Sequence, residues 1–243
     1  MALQVGTNFA NDYSDGIRGT DGETRVGPPR LVGDGLATPG EVKRAAFASF
    51  GLAAVVGLAL SIAVGPELLV VGAASIAAGW FYTGGPRPYG YAGLGEVFVF
   101  VFFGLVATIG SAYIHTETIR SLDILAGVAV GFPVTALLII NNLRDIPGDT
   151  ESGKRTLAVR LGDPATRNFY TAVLLGGYAL LIPLAVQRPA AAIAFATLPF
   201  AFQALKMVRD GAVGRELIAV LGATGRVELL HGLALALGLA ISA

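Results

Sequence analysis

The sequence predicts an all-α fold, a multi-pass bundle of transmembrane helices. Three observations lead there. Hydrophobic residues make up 54% of the 243 positions, and mean hydropathy is +0.67. Charged residues are only 14%, against about 25% in a soluble domain. The charges also cluster, leaving long uncharged blocks between polar loops, which is the pattern of helices crossing a bilayer.

A crossing takes about 20 apolar residues. The blocks expected to cross are Val42–Val64, Glu67–Tyr82, Leu94–Tyr113, Ser121–Ile140, Phe169–Val186, Pro189–Leu205 and Glu228–Ala243. The second, sixth and seventh are short. Residues 1–10 read as the last turns of a further apolar helix, so about seven full spans and a partial one are expected. The whole of 1–243 is expected to be one domain, N-terminally truncated.

Local signals agree with these blocks. Thr38, Pro39 and Glu41 form a capping box with proline at the first helical position. Ser121 and Asp123 suit a helix start. Gly65-Pro66 and Arg188-Pro189 suit tight turns. Pro133, Pro183 and Pro199 fall inside spans, where neighbouring helices satisfy the freed carbonyls. The 33 glycines permit close helix packing. With residues 11–41 on the cytoplasmic side and alternation thereafter, all but Arg120 and Arg188 of the 17 Lys and Arg residues fall on that side, as the positive-inside rule requires.

Composition excludes several classes. Net charge is zero, which argues against a nucleic-acid partner. There is no cysteine, so disulfides, thiolate metal sites and cysteine nucleophiles are out. The first residues lack the basic, apolar and small-residue succession of a signal peptide. The sequence carries no signal for an oligomeric state.

Three polar loops, 11–41, 83–93 and 141–168, are longer than mere connectors. Two hold acidic motifs. NFANDYSDGIRGTD, from Asn8 to Asp21, puts Asn8, Asp12 and Asp15 four and three apart, on one face of a helix. Clustered carboxylates need a cation, and Mg²⁺ takes a few carboxylates plus phosphate oxygens. NNLRDIPGDTESGKRTLAVRLG, from Asn141 to Gly162, spaces Asn141 and Asn142 four and three residues before Asp145. Pro147-Gly148 is expected to break the helix, so that Asp149 reaches the site from a loop. Lys154 and Arg155 follow at once, and an acidic metal-holding group beside adjacent cations suits a diphosphate. Four spans separate the motifs, an even number, so both are expected on one face of the membrane. The plain alternative for either motif alone is a solvated, helix-capping loop.

Weaker signals have two readings each. Arg30 suits a phosphate or a lipid headgroup equally. Gly90, Gly93 and Gly95 read as a flexible turn, since no strand precedes them. Tyr82, Tyr89 and Tyr91 read as an interfacial belt in preference to an acceptor pocket. His115 reads as interfacial. Glu96, two residues into an apolar run, is expensive unless it meets water, a partner or a substrate. A cation transporter would hold its carboxylates in mid-span; here they lie at span ends and in loops.

Taken together, these strings resemble the UbiA superfamily of intramembrane aromatic prenyltransferases, and within it the 1,4-dihydroxy-2-naphthoate prenyltransferase branch. The first motif fits NDYxDxxxGxD. GPPRLVGDGL (Gly27–Leu36) matches GPxRLVxxGL. GGPRP (Gly84–Pro88) and YAGLGE (Tyr91–Glu96) match GGPxP and YxGLGE, and GKRTLAVRLG runs unbroken from Gly153 to Gly162. The resemblance implies nine helices around a central cavity capped by cytoplasmic motif loops, of which this chain supplies about seven and a half.

It implies Mg²⁺ as cofactor, held by Asn8, Asp12 and Asp15 at one site and by Asn142, Asp145 and Asp149 at another. Asp12, Asp15, Asp145 and Asp149 would be the catalytic carboxylates, and Arg30, Lys154 and Arg155 would neutralise the diphosphate. It further implies a polyprenyl diphosphate and an aromatic acceptor as substrates, the lipid bilayer as surroundings, and decarboxylative prenylation of 1,4-dihydroxy-2-naphthoate in menaquinone synthesis. The alternatives are another aromatic acceptor or an inactive membrane remnant. The expected location is the cell membrane.

Overall fold

The computed structural model describes residues 1–20, 27 and 29–242. Asp21 and Pro28 of the sequence motifs, Arg25 of the Lys and Arg distribution, and Ala243 at the end of the last expected span, lie outside the described residues. Among the described residues there is no strand. The helices are α1 (Ala2–Arg18), α2 (Pro39–Ala63), α3 (Glu67–Phe81), α4 (Gly95–Val99), α5 (Ala107–Thr116), α6 (Ser121–Glu151), α7 (Leu157–Leu161), α8 (Asp163–Ala179), α9 (Leu181–Gln187), α10 (Leu198–Arg209) and α11 (Glu216–Ile241). A π-helical stretch, Phe100–Val106, joins α4 to α5, and a 3₁₀ stretch, Pro189–Thr197, leads into α10.

Six helical segments are long and apolar enough to cross a membrane: Pro39–Ala63, Gly95–Thr116, Ser121–Glu151, Asp163–Gln187, Pro189–Arg209 and Glu216–Ile241. Glu67–Phe81 is apolar but only 15 residues long.

The chain divides into two compact units, Met1–Gly95 with Pro147–Arg160, and Glu96–Ile146 with Leu161–Ala243. In the first unit α1 packs on α2 and α3 through Ala10, Ala46 and Phe50, flanked by Leu3, Phe9, Ile76 and Trp80. α2 starts as its sequence predicts. The Thr38 hydroxyl oxygen accepts the Glu41 N–H at 3.4 Å while Glu41 Oε2 accepts the Thr38 N–H at 2.9 Å, a reciprocal cap that satisfies two backbone donors at the helix start. Beyond its first turns α2 leaves Leu52, Val55, Val56, Leu58 and Ile62 exposed, which in a membrane helix is the lipid-facing surface.

In the second unit α6 is the most enclosed of the six apolar helices, 56% of its apolar window being buried. Ile139, Ile140 and Leu143 of α6 join Tyr170 and Leu174 of α8, Val208 of α10, and Leu217, Val220 and Val227 of α11 in one core. Two internal hydroxyl pairs, Tyr170 with Thr224 and Tyr178 with Thr197, each at 2.8 Å, satisfy polar atoms inside it. α6 meets the π-helical stretch at Gly104, where a Cβ would stand 2.5 Å from the Gly131 Cα.

Proline sets the break between α8 and α9. α8 ends at Ala179, four residues before Pro183, because that ring denies an N–H to the Ala179 carbonyl.

The structure corrects three sequence readings. The 141–168 loop is largely helical: α6 runs to Glu151, with α7 and α8 following closely. Pro147-Gly148 does not break α6, so Asp149 stands on the helix and not on a loop. The stop is Gly153, at φ +75°, with its N–H on the Thr150 carbonyl. The last helix starts at Glu216, twelve residues before the expected Glu228. Leu217, Val220, Thr224 and Val227 repeat at helical spacing and are buried, although Arg226 and two glycines interrupt the apolar run.

Candidate active site

α1 presents Asn8, Asp12 and Asp15 at i, i+4 and i+7, so they share one face of the helix. Asn8 is exposed, while Asp12 and Asp15 are buried. Asp12 takes up the segment that follows the first motif: Oδ2 accepts the Leu31 N–H and Oδ1 the Val32 N–H, both at 2.9 Å. The Arg30 backbone N–H donates to Asp34 Oδ2 at 2.7 Å.

Asp15 is the centre of a charged cluster in the first unit. Its Oδ1 accepts the Tyr91 hydroxyl at 2.6 Å. Its Oδ2 lies 3.2 Å from the Lys154 ammonium, which also stands 4.0 Å from Asp149. Lys154 Nζ and the Arg18 guanidinium lie 4.8 and 5.2 Å from the centroid of the Tyr91 ring, within cation–π reach. Arg18 in turn donates to the carbonyls of Thr83 and Gly85, and the Asn11 side-chain oxygen accepts the Thr83 hydroxyl at 2.9 Å. Burial, followed by the Asp15 charge and hydrogen bond, raises the Tyr91 phenol above its ordinary value, so it stays a donor.

The 83–93 segment is therefore no loose turn. Its Gly93, at φ +78°, lies against the basic stretch: a Cβ there would meet Arg160 Nε at 3.0 Å and the Arg155 carbonyl at 3.2 Å. The Arg155 N–H donates to the Tyr91 carbonyl at 3.0 Å, and its side chain is exposed. Tyr89 donates to the Ala78 carbonyl at 2.8 Å. Tyr89 and Tyr91 thus each make a specific bond within the protein, which the interfacial-belt reading did not include.

In the second unit Asn142 and Asp145 sit on α6. Asp145 is gripped by Arg144, with Nε to Oδ1 at 2.6 Å and Nη2 to Oδ2 at 2.7 Å, and Arg144 Nη2 also donates to Asn141 Oδ1 at 2.9 Å. The Asn142 amide donates to Glu96 Oε1 at 2.8 Å. Glu96 is buried, and its Oε2 has no hydrogen-bond partner among the described residues.

The sequence pointed to Asp15, Lys154 and Asp149, and the structure brings these together. Sequence reasoning did not single out Arg18, Asn11 or Arg144, and it read Tyr91 as a belt residue. The available signal for Arg144 was its place one residue before Asp145. Nothing local marks Tyr91 as a partner of Asp15, 76 residues away.

The donors on α1 and α6 are carboxylate and side-chain amide oxygens, the hard ligands Mg²⁺ selects. Among the described residues no three carboxylates or imidazoles converge as a metal-binding group. Carboxylates supplied in ones and twos, with phosphate oxygens completing the shell, are how Mg²⁺ is ordinarily held, so the donor set fits that ion.

The chain is a polytopic helical protein with two acidic motifs on helices, each contacted by a basic side chain. The model of the UbiA prenyltransferase family matches residues 1–213, and the chain belongs to that family. It is a multi-pass membrane protein. It is 48% identical over 240 residues to the 1,4-dihydroxy-2-naphthoate octaprenyltransferase of Mycobacterium tuberculosis, covering 99% of this chain and 82% of that one. The Escherichia coli protein of the same name is 43% identical over 185 residues, covering 74% of this chain and 60% of that one. The one from Bacillus subtilis is 29% identical over 243 residues, covering 99% and 78%.

Proposed function

We propose that this protein transfers a polyprenyl group from a polyprenyl diphosphate to 1,4-dihydroxy-2-naphthoate, with loss of carbon dioxide, to give demethylmenaquinone in its reduced, quinol form in menaquinone biosynthesis. The acceptor is supported by the 48% identity, over 99% of this chain, to a relative named for that reaction. The diphosphate chemistry is supported by one observation above the rest: Lys154 standing 3.2 Å from Asp15 and 4.0 Å from Asp149, a cation set among carboxylates.

In this reading Asn8, Asp12 and Asp15 hold one Mg²⁺, and Asn142, Asp145 and Asp149 a second. Bound Mg²⁺ supplies positive charge to the departing diphosphate. Lys154, Arg155 and Arg30 contribute hydrogen-bonding cations to the same anion, and they matter most in a water-poor site. Tyr91 holds Asp15 in one orientation. The allylic C–O bond breaks with its electron pair leaving on diphosphate. A ring carbon of the naphthoate attacks the allylic cation, and the ring carboxylate departs as carbon dioxide. The polyprenyl tail stays in the lipid, each buried methylene contributing about 0.8 kcal/mol. The two compact units act as a single prenyltransferase domain. The Lys and Arg distribution supports a cell-membrane location with the motif loops in the cytoplasm.

The test is an assay of the purified protein in lipid nanodiscs with a polyprenyl diphosphate, Mg²⁺ and, in parallel, 1,4-dihydroxy-2-naphthoate or 4-hydroxybenzoate, the product being read by mass. Demethylmenaquinol, or the quinone it gives on air oxidation, is expected from the first acceptor alone. Product from 4-hydroxybenzoate alone, or from neither, rejects the assignment.

A further inference from the structure

Glu96 is a carboxylate one residue into an apolar membrane-crossing segment, and it is only 4% exposed. Burying such a group costs several kcal/mol unless its oxygens are satisfied. Among the described residues only one is: Oε1 accepts the Asn142 amide at 2.8 Å, and Oε2 is buried with no partner there. Asn142 is itself 7% exposed. Packing does not require this arrangement, because an apolar residue would fill the same position of an apolar helix without that cost.

A side-chain amide has two faces, an N–H₂ donor and a carbonyl acceptor, which exchange on a half-turn. Oε1 is an acceptor whether or not the neighbouring Oε2 carries a proton. The partner it takes is the N–H₂, so the Asn142 Oδ1 must turn the other way. From this bond we infer that Glu96 is a positioning residue. It locks the Asn142 amide in the flip state that presents Oδ1 as a ligand for the divalent cation, as outer partners orient metal-binding side chains elsewhere. The inference rests on the proposed reading of Asn142 as a metal ligand. Glu96 itself touches neither metal nor substrate in this role.

The experiment measures Mn²⁺ binding by electron paramagnetic resonance, with inorganic diphosphate present, on intact purified protein in nanodiscs. The variants are Glu96→Met, Glu96→Gln, Asn142→Ala and the double Glu96→Met/Asn142→Ala. Glu96→Met, which has no acceptor, should weaken Mn²⁺ by about 10–100-fold, the usual effect of losing an outer partner. Glu96→Gln keeps a carbonyl acceptor and should hold Mn²⁺ within about threefold of the parent. The double variant should bind no more weakly than Asn142→Ala alone, since both changes remove one interaction. Where Glu96→Met does not accumulate, Glu96→Ala, well tolerated in a membrane helix, takes its place with the same expectation.

Unchanged Mn²⁺ affinity in Asn142→Ala overturns the ligand reading of Asn142, and this inference with it. Weakened binding in Asn142→Ala with unchanged binding in Glu96→Met overturns the positioning role alone. Losses that multiply in the double variant also overturn it.

Discussion

The Tyr91 hydroxyl donates a 2.6 Å hydrogen bond to Oδ1 of Asp15, across 76 residues of sequence. The same ring lies under Lys154 and Arg18, so one side chain both fixes the carboxylate and shelves the cations beside it. The two functions separate by substitution. Tyr91→Phe keeps the ring and removes the donor. A hydrogen bond to a charged group contributes about 1.5–3 kcal/mol, so kcat/KM for the prenyl diphosphate should fall about tenfold or more. Tyr91→Leu removes the ring as well and should fall further. Because burial raises the phenol, the bond is fully present below the ordinary tyrosine value of about 10, and is lost only as pH rises through the higher folded value. Undiminished turnover in Tyr91→Phe would detach Asp15 orientation from the reaction.

Lys154 carries the second prediction. Its ammonium stands between Asp15 and Asp149, and in the proposed reaction it faces the diphosphate. Lys154→Met leaves two carboxylates without that cation and should raise the KM for prenyl diphosphate by about tenfold or more, one lost charge-assisted contact being worth about 1.4 kcal/mol or more. Lys154→Arg should restore part of this and not all, because a planar fork does not occupy the place of a point charge. Steady-state kinetics at fixed acceptor concentration reads both. An unaltered KM in Lys154→Met removes the lysine from diphosphate binding.

How much of this was readable from sequence depends on the range of each interaction. The cap of α2 was, because Thr38 and Glu41 are three residues apart and their bonds are local. The apolar blocks were, because hydropathy sums along the chain. The first turns of α11 were not: Arg226 and the glycines lower the local average, and the buried stripe of Leu217, Val220, Thr224 and Val227 emerges only when they are placed on a helix. Pro147 misled for a related reason. It removes one hydrogen bond from α6, which costs about 3 kcal/mol by local propensity, yet the helix continues on both sides and stops where Gly153 adopts a left-handed conformation. The choice of Tyr91 over Tyr82 or Tyr89 as the partner of Asp15 is a tertiary fact with no local signature.

Asp12 offers a test that separates loop anchoring from metal binding. Both its oxygens accept backbone N–H groups, from Leu31 and Val32. Asp12→Ala should therefore speed amide hydrogen exchange at those two residues by about tenfold or more, since each lost bond to a carboxylate is worth about 1.5 kcal/mol or more. Asp12→Asn keeps one carbonyl acceptor and should release only one amide. Hydrogen–deuterium exchange read by mass spectrometry on the 29–37 segment checks this in the absence of substrate. Exchange unchanged in Asp12→Ala would mean that the segment is held by other contacts, leaving the carboxylate free for metal alone.

Helix packing in the second unit rests on Gly104, and the same segment supplies its own control. A Cβ on Gly104 would stand 2.5 Å from the Gly131 Cα, a backbone atom that cannot swing aside, whereas a Cβ on Gly110 meets nothing within 4 Å. Gly→Ala favours a helix by about 1 kcal/mol wherever there is room. Overpacking costs about 1–3 kcal/mol or more where there is none. Gly110→Ala should leave the melting temperature unchanged or slightly raised, and Gly104→Ala should lower it, a separation of about 5–15 °C at the usual few degrees per kcal/mol. Thermal unfolding of the two variants in one detergent measures the difference directly. Equal melting temperatures would show that the π-helical stretch yields to an added methyl and that the close approach to α6 is not a constraint on the fold.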